Sequence, residues 1–323
     1  MRISFITTIF NEEKTIESFL DSLLLQTRFP DDIVIVDAGS TDKTTERIKK
    51  YEAKFKTKKI GFKILIKKGN RSVGRNEAIK NATGDIIVAS DAGCTLDKKW
   101  IEKITEPFRR DSSTPLRSVQ NDKRVDVVAG YYHPVTKTVF EKCLAPYMCV
   151  MPDRVNPEDF LPSSRSVAFR KEVWGKAGGY PERLDTCEDL VFARTLQRMR
   201  FHFTFAKDAI VYWQQRHNFK EAFLQFYSYA VGDGQALYIR PQTPLLFLRY
   251  AIGILAVIFY FTTHSSLLLV SLFVIFFLYM LWAIRKNYRY VKDWRALYIL
   301  PLLQFTADIA VLAGTVRGLL LLV

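Results

Sequence analysis

Two short apolar runs constrain the fold of this chain more than any other feature. Ile33-Val34-Ile35-Val36 and Ile86-Ile87-Val88-Ala89-Ser90 stop on the same tripeptide, Asp37-Ala38-Gly39 in the first case and Asp91-Ala92-Gly93 in the second. Apolar runs of this length, without polar alternation, read as strands covered on both faces, as in a parallel sheet between helices. Ligands of such sheets bind beyond the carboxyl ends of the strands. Two aspartates at that edge, each followed by a glycine that lets the backbone turn or approach a ligand closely, suit a polar, metal-bearing or nucleotide-bearing molecule. The tripeptide also reads as a plain turn and helix cap, because Asp and Gly are favoured there in any protein.

The rest of the first half repeats the strand and helix alternation. Residues 2–9 predict a strand, and Asn11-Glu12-Glu13 opens a helix carrying Ile16, Phe19, Leu20 and Leu23 at helical spacing. After the strand that ends at Asp37, Ser40-Thr41-Asp42 offers capping oxygens to the next helix. A third strand over Phe62–Ile66 leads to a helix around Arg71–Ala82, and a fourth ends at Asp91. A fifth, Val125–Ala129, follows a polar loop from Arg110 to Lys123. The expectation is an α/β domain with a mainly parallel sheet.

From Pro244 onward the chain turns membrane-like, so residues 1–243 are read as a soluble domain and 244–323 as a membrane anchor of two to three helices. Ser265 to Ile284 is a run of twenty residues without a charge, about the length needed to cross a bilayer. Leu245–Thr262 is a second span, with Arg249 near enough to one end to snorkel. Leu297–Val316 is a third, but Asp308 at its middle is costly unless it faces protein or water, so this segment either lies at the interface or packs against the other two. Gly314-x-x-x-Gly318 suits a close helix contact. Arg285, Lys286, Arg289, Lys292 and Arg295 lie between the second and third spans, which by the positive-inside rule puts that loop and the N-terminal domain in the cytoplasm. The first ten residues hold an apolar stretch too short for a secretory leader, which agrees.

Charge and cysteine usage fit this placement. The net charge is +14; seven basic and two acidic residues fall after position 243, leaving +9 on the soluble part. No zinc-finger spacing or aromatic-interleaved basic stripe accompanies the surplus, so nucleic acid is not expected, and an anionic membrane surface accounts for it. Cys94, Cys143, Cys149 and Cys187 form no C-x-x-C pair and read as reduced thiols.

An ordered set of motifs goes further. Thr7-Thr8-x-x-Asn11-Glu12-Glu13, Val36-Asp37-Ala38-Gly39-Ser40-Thr41-Asp42, Arg75-Asn76, Ser90-Asp91-Ala92-Gly93-Cys94, Phe169-Arg170-Lys171-Glu172-Val173-Trp174, Gly178-Gly179-Tyr180 and Glu188-Asp189 run in sequence over roughly residues 3 to 235. The set resembles family 2 glycosyltransferases of GT-A fold. That resemblance implies a Rossmann-like catalytic domain and inverting transfer of a sugar from a nucleotide diphosphate donor to an acceptor hydroxyl, usually with a divalent metal. It implies that Thr8, Asn11, Glu12, Asp37, Gly39, Arg75 and Asp91 line the nucleotide sugar, with Asp37 accepting from a nucleobase N–H. It further implies that Asp91 holds Mg²⁺ or Mn²⁺ against the diphosphate, that Asp189 is the general base, and that Glu188 supports the site or binds the acceptor. Each residue also has a plainer reading: Asp37 as a helix cap, Arg75 as a solvated helix arginine, and Glu188 with Asp189 as acids favoured at a helix N-terminus.

The chain departs from the family pattern twice. Ala38 and Gly93 stand where the family often has a second acid, which leaves two alternatives open: Asp91 alone holds a metal already bound to the diphosphate, since Mg²⁺ commonly keeps waters and substrate oxygens as ligands, or basic residues stabilise the leaving group without a metal. Trp213-Gln214-Gln215-Arg216-His217 is a near miss to the Q-x-x-R-W signature of processive synthases, with neither Arg nor Trp in register. Arg216 remains a candidate phosphate contact, whereas His217 reads as structural. Phe219, Phe223, Phe226, Tyr227 and Ala230 make a helical face, either interfacial or core, which Gly232-Asp233-Gly234 is expected to break. The expected protein is a cytoplasm-facing membrane glycosyltransferase whose partners are a nucleotide sugar, a lipid-linked or glycan acceptor and membrane lipids. Two rivals stay open: a polyprenyl-phosphate sugar synthase, and a degenerate transferase serving as a membrane partner of a glycan-assembly complex.

Overall fold

The structure is a computed structural model describing residues 1–113 and 124–322. Its first elements are β1 (Ile3–Ile9), α1 (Ile16–Leu24), β2 (Asp32–Asp37), α2 (Thr44–Thr57), β3 (Gly61–Ile66), α3 (Arg71–Asn81) and β4 (Ile86–Ala89). There follow β5 (Cys94–Leu96), α4 (Trp100–Ser113), β6 (Val127–Val135), α5 (Val139–Met148), β7 (Val167–Arg170), α6 (Lys171–Lys176), α7 (Glu188–Arg198) and β8 (Phe203–Gln214). The chain ends in α8 (Phe219–Gln235), α9 (Gln242–Thr263), α10 (Ser266–Val291) and α11 (Ala296–Leu320). Of the polar loop expected over 110–123, the first four residues continue α4 and the rest lie outside the described residues.

Two compact units emerge, Met1–Pro134 with Pro152–Gln214, and Val135–Met151 with Gln215–Val323. The sequence boundary at 243/244 differs from this division by α5 and α8, which both go with the C-terminal helices.

In the first unit the sheet runs β3-β2-β1-β4-β7-β6-β8-β5. β2 is buried at every position and β4 likewise, as their unbroken apolar runs require. β1 pairs in parallel with both β2 and β4, and β2 in parallel with β3. Helix α1 buries Ile16, Phe19, Leu20 and Leu23, and the Phe19 ring meets Phe5 of β1 at 5.9 Å. The far half of the sheet is different: β4 with β7, β6 with β7 and β5 with β8 are all antiparallel. The mainly parallel expectation thus describes β1 to β4; in the antiparallel half the sequence predicts only β6, as the strand at Val125–Ala129, because β5 and β7 are short and β8 is unevenly buried. From β1 the chain steps outward to β2 and β3, then returns to the opposite side of β1 as β4. The switch point of the sheet therefore lies between β1 and β4, with Asp91 just past the end of β4 and Asp37 closing β2.

The second unit is helical. α9, α10 and α11 are each long and apolar enough to cross a membrane, with mean hydropathies of 2.0, 2.7 and 1.8. Half of the apolar window of α11 is buried inside the protein, whereas that of α9 is bare. Asp308 explains part of this. Its carboxylate accepts from Arg249 Nη2 at 2.9 Å, Tyr250 OH at 3.0 Å, Gln304 Nε2 at 2.9 Å and the Tyr279 hydroxyl. Arg249 therefore pairs with the acid of α11 rather than only snorkelling, and one buried charge ties three helices.

Helix α8 runs unbroken through Gly232-Asp233-Gly234, against the expectation of a break there. Gly234 serves packing instead: a Cβ there would lie 2.9 Å from the Gly318 Cα. The Gly314-x-x-x-Gly318 pair meets α8, not α9 or α10, and a Cβ on Gly318 would stand 2.3 Å from the Val231 carbonyl oxygen. The aromatic face of α8 is largely core, since Ala222, Phe226 and Ala230 are buried. Gly318→Leu is accordingly expected to force α8 and α11 apart, at the upper end of the 1 to 3 kcal/mol typical of overpacking, about 3 kcal/mol, because the obstacle is backbone. A thermal melt in detergent would register the loss; an unchanged midpoint would show that the contact can yield.

Candidate active site

The site grows out of α3. Asn70 caps this helix by accepting from the Val73 amide at 3.1 Å. Gly74 lets it close onto β1, since a Cβ there would fall 2.1 Å from Thr8 Oγ1. The next residue, Arg75, is buried beside the end of β4. Its Nη2 donates to Asp91 Oδ1 at 2.8 Å and its Nη1 to Glu188 Oε1 at 2.5 Å. The Arg75 and Glu188 side chains are only 4% and 5% exposed, so this is a buried ion pair and neither charge has water to fall back on. Burial lowers the Arg75 pKa, but Asp91 and Glu188 together outweigh it and raise it above its ordinary value. For Asp91, burial pushes the carboxyl up, but Arg75, then Arg165 and Arg71, outweigh it and hold it below its ordinary range.

Asn76 organises the other wall. Its Oδ1 accepts from the Tyr180 amide at 2.8 Å and from Trp174 Nε1 at 2.9 Å, and its Nδ2 donates to the Tyr180 carbonyl at 2.9 Å. Gly178 and Gly179, at φ +76 and +86, make the turn that brings Tyr180 in. The Tyr180 ring then lies 5.5 Å from the Arg75 guanidinium carbon and stacks on Phe192 of α7 at 4.2 Å.

Asp189 sits in the first turn of α7. Its Oδ2 accepts from Ser163 Oγ at 3.0 Å and the Ser164 amide at 3.2 Å, and its Oδ1 from the Leu190 amide at 2.8 Å. Three donors hold the carboxylate in one orientation while leaving lone pairs able to accept a proton. Cys187 just before the pair adopts φ +68, a left-handed conformation uncommon for a residue with a side chain, and it aims the start of α7.

The first Asp-Ala-Gly motif is a tight turn. Asp37 Oδ1 accepts from the Gly39 amide at 3.1 Å and from the Ser40 amide and hydroxyl at 2.8 Å, and its Oδ2 accepts from Thr45 Oγ1 at 2.7 Å. The side chain thus works as the turn and cap group of the plainer reading, and any nucleobase N–H would have to share it. Asn11 accepts from the Thr41 amide at 2.9 Å, and the Glu12 amide donates to Thr44 Oγ1 at 2.8 Å, so Thr8, Asn11, Glu12 and Gly39 gather at the ends of β1 and β2. Arg216 belongs to the helical unit, where its Nε donates to Gln225 Oε1 at 3.3 Å. His217 Nδ1 lies 2.8 Å from Glu141 Oε1, also in that unit.

Sequence reasoning did not single out Ser163, Ser164 or Arg165. Arg165 Nη1 donates to Ser163 Oγ at 3.0 Å, and its guanidinium carbon lies 4.0 Å from the centre of the Trp213 ring. The only available signal was their place at the turn into the Val167-Ala168-Phe169-Arg170 strand. Nor do the residues here form a metal cage: Ala92 and Gly93 supply no carboxylate, Asp91 is engaged by Arg75, and among the described residues no three His, Cys, Asp or Glu side chains stand together to hold an ion.

Residues 4–131 match the family model Glycosyl transferase family 2, a stretch that contains Asp37, Arg75 and Asp91. This stretch is a family 2 glycosyltransferase domain. Glycosyltransferase AglE of Haloferax volcanii is 23% identical to the chain over 216 residues, 64% of this chain and 65% of that protein. The dolichyl N-acetyl-alpha-D-glucosaminyl phosphate 3-beta-D-2,3-diacetamido-2,3-dideoxy-beta-D-glucuronosyltransferase of Methanococcus voltae is 34% identical over 112 residues, 33% of this chain and 34% of that protein. The first three curated relatives are matched over 15%, 65% and 29% of their own length. Mannosyltransferase PcManGT from Pyrobaculum calidifontis, solved in complex with GDP-Man and Mn²⁺, shares the fold at a TM-score of 0.62 over 98% of this chain and 87% of that one, at 16% identity. The fold is GT-A, as the ordered motifs implied, joined to three apolar C-terminal helices.

Proposed function

We propose that the chain is an inverting glycosyltransferase that moves a sugar from a nucleotide diphosphate sugar to the hydroxyl of a lipid-linked or glycan acceptor at the cytoplasmic face of the cell membrane. The observation that carries this reading is the pairing, at the carboxyl edge of the sheet, of a fixed carboxylate, Asp189, with a buried arginine, Arg75, that bridges Asp91 and Glu188. Asp189 accepts the acceptor's hydroxyl proton while that oxygen bonds to the anomeric carbon from the face opposite the diphosphate. The bond from the anomeric carbon to the phosphate oxygen breaks, and the electron pair leaves with the nucleotide. Asp37, Asn11, Thr8 and Glu12 line the nucleoside side. Residues 1–243 act as the catalytic part and 244–323 as the multi-pass anchor. Arg285, Lys286 and Arg289 in the last turns of α10, with Lys292 and Arg295 between α10 and α11, support a cytoplasmic end of these helices, and the three apolar helices support a lipid-linked acceptor.

The test is product isolation from membranes of cells expressing the chain, incubated with radiolabelled UDP-, GDP- and dTDP-sugars. A glycoside in the lipid-linked or polymer fraction is the expected result. An acid-labile lipid monophosphosugar would instead identify a polyprenyl-phosphate sugar synthase, and no turnover of any donor would favour a degenerate partner.

A further inference from the structure

The arginines around Asp91 bear on how the leaving diphosphate is neutralised. In the resembling enzymes that task falls to an ion held by paired acids, yet here the first acid is engaged by Arg75 at 2.8 Å and the second is Gly93. Packing around the backbone does not dictate that glycine, because a Cβ at position 93 would meet nothing within 4 Å. What the fold supplies instead is guanidinium.

Three arginines act on Asp91 from two places, Arg75 and Arg71 on α3 and Arg165 in the turn into β7. Arg75 is fixed on α3 and over Tyr180. Arg71 opens the same helix one turn earlier, on an exposed position. Arg165 comes from the turn into β7, where the Trp213 ring at 4.0 Å and Ser163 Oγ at 3.0 Å limit its rotamers. The segment that carries it is bolted to the rest of the site, because Ser163 and Ser164 hold Asp189, and Ser164 Oγ lies 3.4 Å from the Tyr180 hydroxyl. Planar guanidinium groups match phosphate oxygens two at a time, and one stacked on an aromatic ring loses little freedom on binding. Arg71 and Arg165 repel a dication at Asp91 and attract a diphosphate, while Arg75 offsets part of the Asp91 and Glu188 charge that would favour the dication.

We infer that Arg165, with Arg71, is the cation pair that binds the donor diphosphate and stabilises the leaving group, so that this site takes its nucleotide without a divalent metal. The inference rests on the reading of this pocket as a nucleotide sugar site. In that role the bond from the anomeric carbon to oxygen breaks as proposed above, and the new charge on the β-phosphate is met by N–H donors rather than by an ion.

Calorimetric titration of the full chain in detergent with UDP, GDP and dTDP, in EDTA and in Mn²⁺, tests it. The expected result is one diphosphate binding with affinities within about threefold in the two conditions, weakened by at least about tenfold in Arg165→Gln, the scale of one lost charged hydrogen-bonding partner. Arg165→Lys should recover part of the loss. Arg71→Gln, at an exposed helix start, keeps the test open should Arg165→Gln fail to fold, and should weaken binding severalfold without moving the melting midpoint. Binding seen only with Mn²⁺, or unaffected by removing either arginine, would overturn the inference and leave the glycosyltransferase reading standing. No binding of any diphosphate in either condition would overturn both.

Discussion

Asp189→Asn is expected to lower transfer by about 10² to 10⁴-fold, the range over which a positioned general base contributes, with diphosphate affinity held within about threefold. The change is nearly isosteric, so Ser163 and the Ser164 amide still find an oxygen at 3.0 and 3.2 Å to donate to. What disappears is the lone pair able to take a proton. The amide's NH₂ would also face the Leu190 amide now 2.8 Å from Oδ1, two donors opposed, which costs a small rotation but no partner essential to the fold. Single-turnover kinetics with saturating donor would read the chemical step apart from binding. A rate near wild type would move the base elsewhere, with Glu188 poorly suited to replace it because Arg75 occupies its Oε1 at 2.5 Å.

The parallel half of the sheet was legible because its information is local: β2 and β4 are buried on both faces, and that leaves an unbroken apolar run in the sequence. β8 has no buried position over its first six residues and alternates only over its last six, and β5 is three residues long, so neither produced a sustained period to read. The helical glycines misled for a related reason. Gly234 looks like a helix breaker by intrinsic propensity, but the close approach of α11 at this residue outweighs its cost of about 1 kcal/mol. Asp308 was readable as a problem and not as its solution, since Arg249, Tyr250 and Tyr279 lie 29 to 59 residues away along the chain.

The site divides along the same line. Arg75, Asp91, Glu188 and Asp189 stood out through their motif context, and the fold brings Arg75 against Asp91 and, across 113 residues of sequence, against Glu188. Arg165 carried no motif, and only the folded contacts with Trp213 and Ser163 distinguish it from any other arginine. The twin Asp-Ala-Gly endings proved unlike one another. Asp37 spends its oxygens inside its own turn, whereas Asp91 spends one on Arg75.

Arg75→Met should be the most destabilising single change in the site, because it keeps the volume of the side chain and removes the charge on which Glu188 depends. Glu188 would be left 5% exposed without its cation, and breaking a buried pair in this way costs about 3 to 5 kcal/mol. For a unit of this size that corresponds to a fall in melting midpoint on the order of 10 °C. Two consequences separate charge from packing. The double variant Arg75→Met/Glu188→Leu should recover a substantial part of the loss, since it removes the stranded carboxylate along with the arginine. The second concerns acid. Asp91 is held below its ordinary pKa of 3.8 chiefly because Arg75 and its neighbours overcome the effect of burial, so its stabilising contribution is complete above that value and is lost as pH falls through the depressed one. Without Arg75 most of that contribution is already missing at neutral pH, and the acid limb of the stability profile should flatten relative to wild type. Melting curves of the three proteins between pH 3 and 7 measure both effects. If the double variant were no more stable than Arg75→Met, the cost would lie in packing around Tyr180 rather than in the buried charge of Glu188.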